Sequence, residues 1–249
     1  MPIPAHWKPW RSLPGCDIAL SMDTNTYAAG TWTNQTGVTV DFDQSVAGNR
    51  PTAGVNYLDF DGSGDHLDIT SAQAAPLRPI NGGFTLIAAV RPDGVVAATD
   101  YICQWRTAPN NGFQLFAGAA NYGFQVDTGG LGAVTSDAAP AATTTEILTC
   151  WRDSGNVARM RRNGAAQVDT AAIAGDAASP AADFSIGATP AGGSRWDGRI
   201  YCLLLWRRDL TALEKQQVEY WIDQKFSLGK GLSDPGYPDS DWRWRWDWS

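Results

Sequence analysis

Apolar and polar residues alternate in short runs over most of this chain, and the densest run lies at residues 199–206. There Ile200, Cys202, Leu204 and Trp206 fall on one parity, and Tyr201, Leu203 and Leu205 on the other. Both parities are apolar, so the pattern predicts a strand covered on two sides. Trp196-Asp197-Gly198 before it reads as a turn. After it, Thr211-Ala212-Leu213-Glu214 has the form of a capping box, in which hydroxyl and carboxylate satisfy free N–H groups at a helix start. The helix that follows carries Leu213, Val218, Trp221, Ile222 and Phe226 on one stripe, with Gly229 available to end it.

Upstream, the same alternation predicts strands over 84–90, 101–105, 112–117, 122–127, 146–152 and 157–162. Residues 57–69 read as two strands joined by an Asp-Gly turn, and Asn163-Gly164 is the clearest hairpin turn, since both positions tolerate positive φ. Many short strands and one late helix predict an all-β antiparallel sandwich. The expected organisation is an extended arm over 1–16, the sandwich over 17–228, and a linker with a Trp-rich tail over 229–249. In that tail Trp242, Trp244, Trp246 and Trp248 alternate with Asp and Arg, so one strand face would be all tryptophan.

At 249 residues, 43% hydrophobic and 18% charged, the chain can bury a large core. A net charge of -7 argues against nucleic acid as a partner. The basic run Arg159-Met160-Arg161-Arg162 is expected to be a solvated hairpin tip. No stretch approaches the roughly 18 apolar residues of a spanning helix. The first ten residues hold no apolar segment of a secretion signal, and Cys16, Cys103, Cys150 and Cys202 have neither zinc-site nor disulfide-scaffold spacing. The expectation is synthesis in a reducing cytoplasm.

Arg50-Pro51-Thr52, Leu58-Asp59-Phe60-Asp61-Gly62 with Leu67, Phe84-Thr85-Leu86, the Arg162-Asn163-Gly164 turn, Phe184-Ser185-Ile186-Gly187 and Trp196-Asp197-Gly198-Arg199-Ile200 occur in a telling order. That order, closed by Leu210-Thr211 and the helix, resembles the concanavalin A-like lectin/glucanase superfamily. More narrowly it is similar to the laminin-G/pentraxin-like domains of bacteriophage structural proteins. The resemblance covers about residues 17–228 and implies a two-sheet jelly roll with one short C-terminal helix.

The resemblance also raises glycoside hydrolysis, which needs paired carboxylates. The E-x-D-x-E strand of the glucanases has no counterpart here. The glutamates are Glu146, Glu214, which the helix cap absorbs, and Glu219, assigned to an exposed helix face. Asp59, Asp61, Asp65 and Asp68 are assigned to turns and solvent. No Gly-x-Ser-x-Gly accompanies His6 and His66, so a hydrolase triad lacks support. The chain is therefore expected not to be an enzyme. No cofactor is expected. Relatives that carry calcium keep that ion as a minor alternative, although residues 59–68 lack an EF-hand pattern.

Two binding roles remain. In the first, the chain is a virion surface protein of a tailed bacteriophage (head decoration, head fibre or tail-associated). Its terminal aromatics Trp7, Trp10, Trp242, Trp244, Trp246 and Trp248 would anchor it to other virion proteins or to copies of itself. In the second, it is a lectin-like module for host glycans, using Trp32, Asn110, Asn111 and Trp196. Against that, Trp32 and Trp196 also suit the ends of the sandwich core, and Asn110-Asn111-Gly112 suits a plain turn.

Overall fold

The computed structural model describes residues 8–22, 26–38, 40–77, 83–107, 111–128, 131–136, 138–166, 168–172, 181–190 and 192–235. Two antiparallel sheets pack face to face. Sheet A runs in the order β15 (Val168–Ala172), β14 (Val157–Arg162), β13 (Glu146–Arg152), β8 (Phe84–Pro92), β17 (Asp197–Trp206), β6 (Leu58–Asp61) and β5 (Thr52–Ala53). Its eighth strand, β1 (Cys16–Ser21), pairs with the second half of β17 on the edge that β6 occupies along the first half. Sheet B runs β12 (Leu131–Thr135), β11 (Tyr122–Thr128), β10 (Asn111–Ala117), β9 (Asp100–Thr107) and β16 (Phe184–Ile186). It continues through β7 (Leu67–Ile69), β4 (Phe42–Asp43), β3 (Thr31–Trp32) and β2 (Tyr27–Ala28). Leu86, Ala88 and Val90 of one sheet meet Trp105, Phe113 and Phe124 of the other in the main core.

The outer face of sheet A is covered as the doubly apolar β17 required. Helix α3 (Ala212–Phe226) and the single turn α1 (Pro9–Ser12) lay Val218, Trp221, Ile222, Phe226 and Trp10 over Ile87, Ala89, Leu204 and Trp206; a further single turn, α2 (Ser71–Ala74), follows β7. The alternation on β17 is broken, however. A bulge between Ile200 and Cys202 inserts Tyr201, so Ile200, Leu203 and Leu205 face the inter-sheet core while Cys202, Leu204 and Trp206 face the helix. The Thr211–Glu214 capping box is formed in both directions, and the helix ends at Ser227 in the left-handed region (φ 53) rather than at Gly229.

Four other expectations change. Residues 58–61 and 67–69 are not a hairpin: β6 belongs to sheet A and β7 to sheet B. The chain crosses between sheets through an Asx turn in which Asp61 accepts from the backbone N–H groups of Ser63 (2.8 Å) and Gly64 (3.0 Å). The basic run is strand, not tip. Arg159 pairs with Asp153 (2.9 Å), and Arg161 grips Glu219 of α3 through two nitrogens (2.7 and 2.8 Å). Glu219 is thus buried, not solvent-facing, and takes a further hydrogen bond from the Thr149 hydroxyl. The tip itself is Asn163-Gly164, both at positive φ, as the hairpin reading required. At the N-terminal end, residues 9–12 are helical rather than extended, starting at a proline that suits the first helical position.

Candidate functional site

Sheet B has one face in the core, and its register fixes what stands on the other. Ser185 of β16, Gln104 of β9, Gln114 of β10 and Gln125 of β11 are successive cross-strand partners. Their sequence neighbours Cys103, Trp105, Phe113, Leu115, Phe124 and Val126 all point into the core. The three amides therefore stand side by side on the outer face. Gln104 Nε2 donates to Gln114 Oε1 (2.6 Å), Gln114 Nε2 to Gln125 Oε1 (2.7 Å), and Gln125 Nε2 to Asp127 Oδ1 (3.2 Å). Asp127, with no exposed surface, is also held by the Arg106 guanidinium.

The direction of this ladder follows from chemistry. A carboxylate only accepts, so Gln125 must turn its nitrogen to Asp127 and its oxygen to Gln114, which orients each amide in turn. At 8%, 3% and 7% exposure, Gln104, Gln114 and Gln125 are nearly buried, which strengthens each rung. At the other end the Ser185 hydroxyl gives its one proton to Asp68, which leaves Gln104 Oε1 to accept from water or a ligand.

Polar groups continue across β7 and β4. Asp68 stands opposite Asp43, which accepts from Thr31 Oγ1 (2.7 Å). Burial pushes the Asp68 carboxyl above its ordinary value, the Ser185 hydrogen bond opposes that shift, and the nearby Asp183 charge adds to it. His66 has Nδ1 on the Gly64 carbonyl (2.8 Å) and Nε2 on Gln44 Nε2 (2.7 Å), while Gln44 Oε1 is occupied by the Val46 N–H (2.9 Å). Those partners specify the Nδ1–H tautomer. In it the 3.3 Å contact of Nε2 with Asp68 meets a lone pair rather than a proton, so it is not an ion pair.

On the other side of the ladder lies an aromatic pair. Phe116 is the partner of Tyr101 on β9 and of Gly123 on β11, and its ring centroid is 5.9 Å from that of Tyr101. Amide donors and acceptors, carboxylates, one guanidinium and a half-buried aromatic ring suit a ligand that is both hydroxylated and partly apolar.

The residues singled out from sequence fall elsewhere. Trp32, on β3, and Trp196, just ahead of β17, have no exposed surface and sit in the inter-sheet core; they cannot stack on a ligand. Asn111 begins β10, its backbone paired with Thr107 and Thr128. Trp10 is not a free anchor: it packs edge-on against Trp221 at 5.3 Å. Asn110, Trp7, Trp242, Trp244, Trp246 and Trp248 lie outside the described residues. Among the described residues, no group of three or more His, Cys, Asp or Glu side chains is arranged to hold a metal ion, and no helix is long and apolar enough to cross a membrane. The ladder itself escaped the sequence reading. Its signal was there: Cys103-Gln104-Trp105, Phe113-Gln114-Leu115 and Phe124-Gln125-Val126 repeat one apolar-Gln-apolar triplet in three consecutive strands.

A laminin-G family model, described as the Concanavalin A-like lectin/glucanases superfamily, matches residues 61–214. No curated protein sequence matches the chain. Among solved structures, Trypanosoma rangeli sialidase in complex with sialic acid superposes with a TM-score of 0.62 at 16% identity, covering 85% of this chain and 33% of that one. The binding domain of botulinum neurotoxin serotype G gives 0.65 at 12% identity (84% and 51% covered). That of botulinum neurotoxin DC, solved in complex with SialylT, gives 0.59 at 11% (83% and 51%). The chain thus spans about a third of the sialidase and half of each toxin fragment. At such identities the likeness is one of fold: mostly β, two antiparallel sheets and a short C-terminal helix. It also corrects the expectation that the chain is not an enzyme. A sialidase is an enzyme, and the fold is shared by enzymes and binding domains alike, so a missing E-x-D-x-E strand does not exclude catalysis.

Proposed function

The chain belongs to the concanavalin A-like lectin/glucanases superfamily, and on that premise we propose that the outer face of sheet B binds carbohydrate. The observation that carries the reading is the Gln104–Gln114–Gln125–Asp127 ladder. A row of oriented amides along the outer face of a sheet is preorganised for ligand hydroxyls, because each amide keeps one N–H and one oxygen lone pair outside the row. Two neighbours in fold, a sialidase solved with sialic acid and a toxin binding domain solved with SialylT, support the ligand class. The setting fits a surface protein. Trp10 and the segment through Leu228 and Leu232 lie on the α3 side, opposite the ladder. A molecule held by that side would present the ladder outward, and a tailed-phage virion is the setting the sequence resemblance suggests. Partners there would be other virion proteins or further copies of the chain.

The test is a glycan array probed with the full chain and with Gln114→Ala and Gln125→Ala. The reading expects selective binding that each variant weakens about tenfold or more, a loss of about 1.4 kcal/mol. An array without binders, or variants that bind as the parent does, would sink it.

One observation favours hydrolysis as a second reading. Asp43 and Asp68 are direct cross-strand partners on this face, a pairing that sets Cβ atoms about 4.5–5.5 Å apart. Burial raises Asp68, as a proton donor to a leaving group needs, and retaining glycosidases hold their carboxyls about 5–5.5 Å apart. Release of reducing ends from a bound glycan, abolished by Asp68→Asn, is the expected result; an inert protein refutes this reading.

A further inference from the structure

Phe116 is an apolar ring on the outer face of sheet B, next to the amide ladder, and the backbone beneath it explains its posture. Its partner on β11 is Gly123, and a methyl group there would run into the ring. The ring therefore lies over bare backbone, the way an aromatic residue covers a glycine on a sheet. One π-face is against the strand, so the other is turned outward. Tyr101, its partner on β9, fences one side at 5.9 Å and 57°. Gln114 is two residues back on the same strand face, about 7 Å away at the rise of a strand. Gln125 lies two residues beyond Gly123.

Charge narrows the ligand further. Asp43, Asp68 and Asp127 flank or line the ladder, and Asp183 lies near Asp68. Against them stand Arg106, whose Nε is engaged by Asp127, and Arg195, bridged to Tyr101 at the margin. The aspartates outnumber the arginines, and a carboxylated sugar over the ladder would face Asp68 and Asp183.

We infer that Phe116 is the stacking platform of this face, and that its ligand is an uncharged pyranose laid flat on the ring with its hydroxyl edge on Gln114 and Gln125. The inference rests on the carbohydrate reading above. The apolar C–H face of a pyranose matches the outward π-face, and its hydroxyls match the oriented amides.

The experiment measures affinity of the full chain for immobilised glycans of one core structure, with and without terminal sialic acid, for the parent, Phe116→Leu and Phe116→Tyr. The expected result is binding of the uncharged glycan about tenfold tighter than of its sialylated counterpart. Phe116→Tyr keeps that binding, and Phe116→Leu loses about tenfold or more while melting as a folded protein. Equal binding by Phe116→Leu, or preference for the sialylated form, overturns the inference and leaves carbohydrate binding standing. Absence of any glycan binding by the parent overturns both. If Phe116→Leu does not fold, saturation-transfer NMR on the unaltered chain decides. Irradiating aromatic protons is expected to transfer to one C–H face of the pyranose, and uniform transfer overturns the platform.

Discussion

Gln114→Leu removes the middle rung of the ladder with little change of volume. Gln104 Nε2, now 2.6 Å from its acceptor, and Gln125 Oε1, 2.7 Å from its donor, would each face a methyl group. A buried polar group that loses its partner costs about 1–3 kcal/mol. Gln104 and Gln125 keep 8% and 7% of their surface exposed, so water reaches their outer edges and the lower part of that range applies. The two orphans together should cost about 2 kcal/mol. For a chain of this length that is a fall in Tm of about 4–8 °C. The decisive comparison is the triple variant Gln104→Leu, Gln114→Leu, Gln125→Leu. It removes every rung together, leaving only Asp127 short of one donor while Arg106 remains. Replacing both members of a hydrogen bond by apolar groups is close to neutral, so the triple variant should lose no more than the single one. Thermal melts of the three single variants and the triple one measure this. If the single losses simply add up to the triple loss, the rungs are independent and the ladder reasoning is wrong.

Glu219→Ala should destabilise the fold by about 3–5 kcal/mol, because it leaves Arg161 and Thr149 facing each other beneath α3 without the carboxylate they share. An unfolding free energy from urea melts within about 1 kcal/mol of the parent's would contradict the burial of that pair. Asp68 carries a raised folded pKa, so the folded state binds a proton that the unfolded chain has released. Its contribution to stability therefore falls as pH rises from the ordinary carboxylate range through the raised value, and the penalty persists above it. Asp68→Asn should accordingly be more stable than the parent at neutral pH, with the gain shrinking as the pH drops below that range. A gain independent of pH, or a loss at neutral pH, refutes the assignment. Asp223 accepts from the backbone N–H groups of Lys230 (2.8 Å) and Leu232 (3.4 Å), tying the chain after α3 back onto the helix. In Asp223→Ala, limited proteolysis should cut faster within residues 228–235 while the melting of the sandwich barely moves. Unchanged cleavage would show that the carboxylate does not hold this segment.

Much of the architecture was legible in the residues because it depends on local chemistry. Thr211 and Glu214 could be read as a helix cap and Asn163-Gly164 as a hairpin turn, since each acts on atoms a few residues away. The two apolar parities of β17 required cover on both sides, and α3 supplies it. What local pattern cannot report is which strand lies beside which. Residues 58–61 and 67–69 look like a hairpin in sequence yet belong to different sheets: β6 pairs with β17 and β7 with β16. The bulge at Tyr201 reversed an alternation that was otherwise sound. Glu219 and Arg161, 58 positions apart, became buried partners only when the helix docked. The ladder is the sharpest case. Each glutamine on its own is an ordinary outward residue of a half-buried strand, and its alternation with core residues was visible along the chain. Only the lateral register of β9, β10 and β11 sets the three amides in contact, and only Asp127 at the end gives them a direction. Alternation determined which side each side chain faces, whereas strand order and register, which depend on contacts distant in sequence, decided which side chains meet.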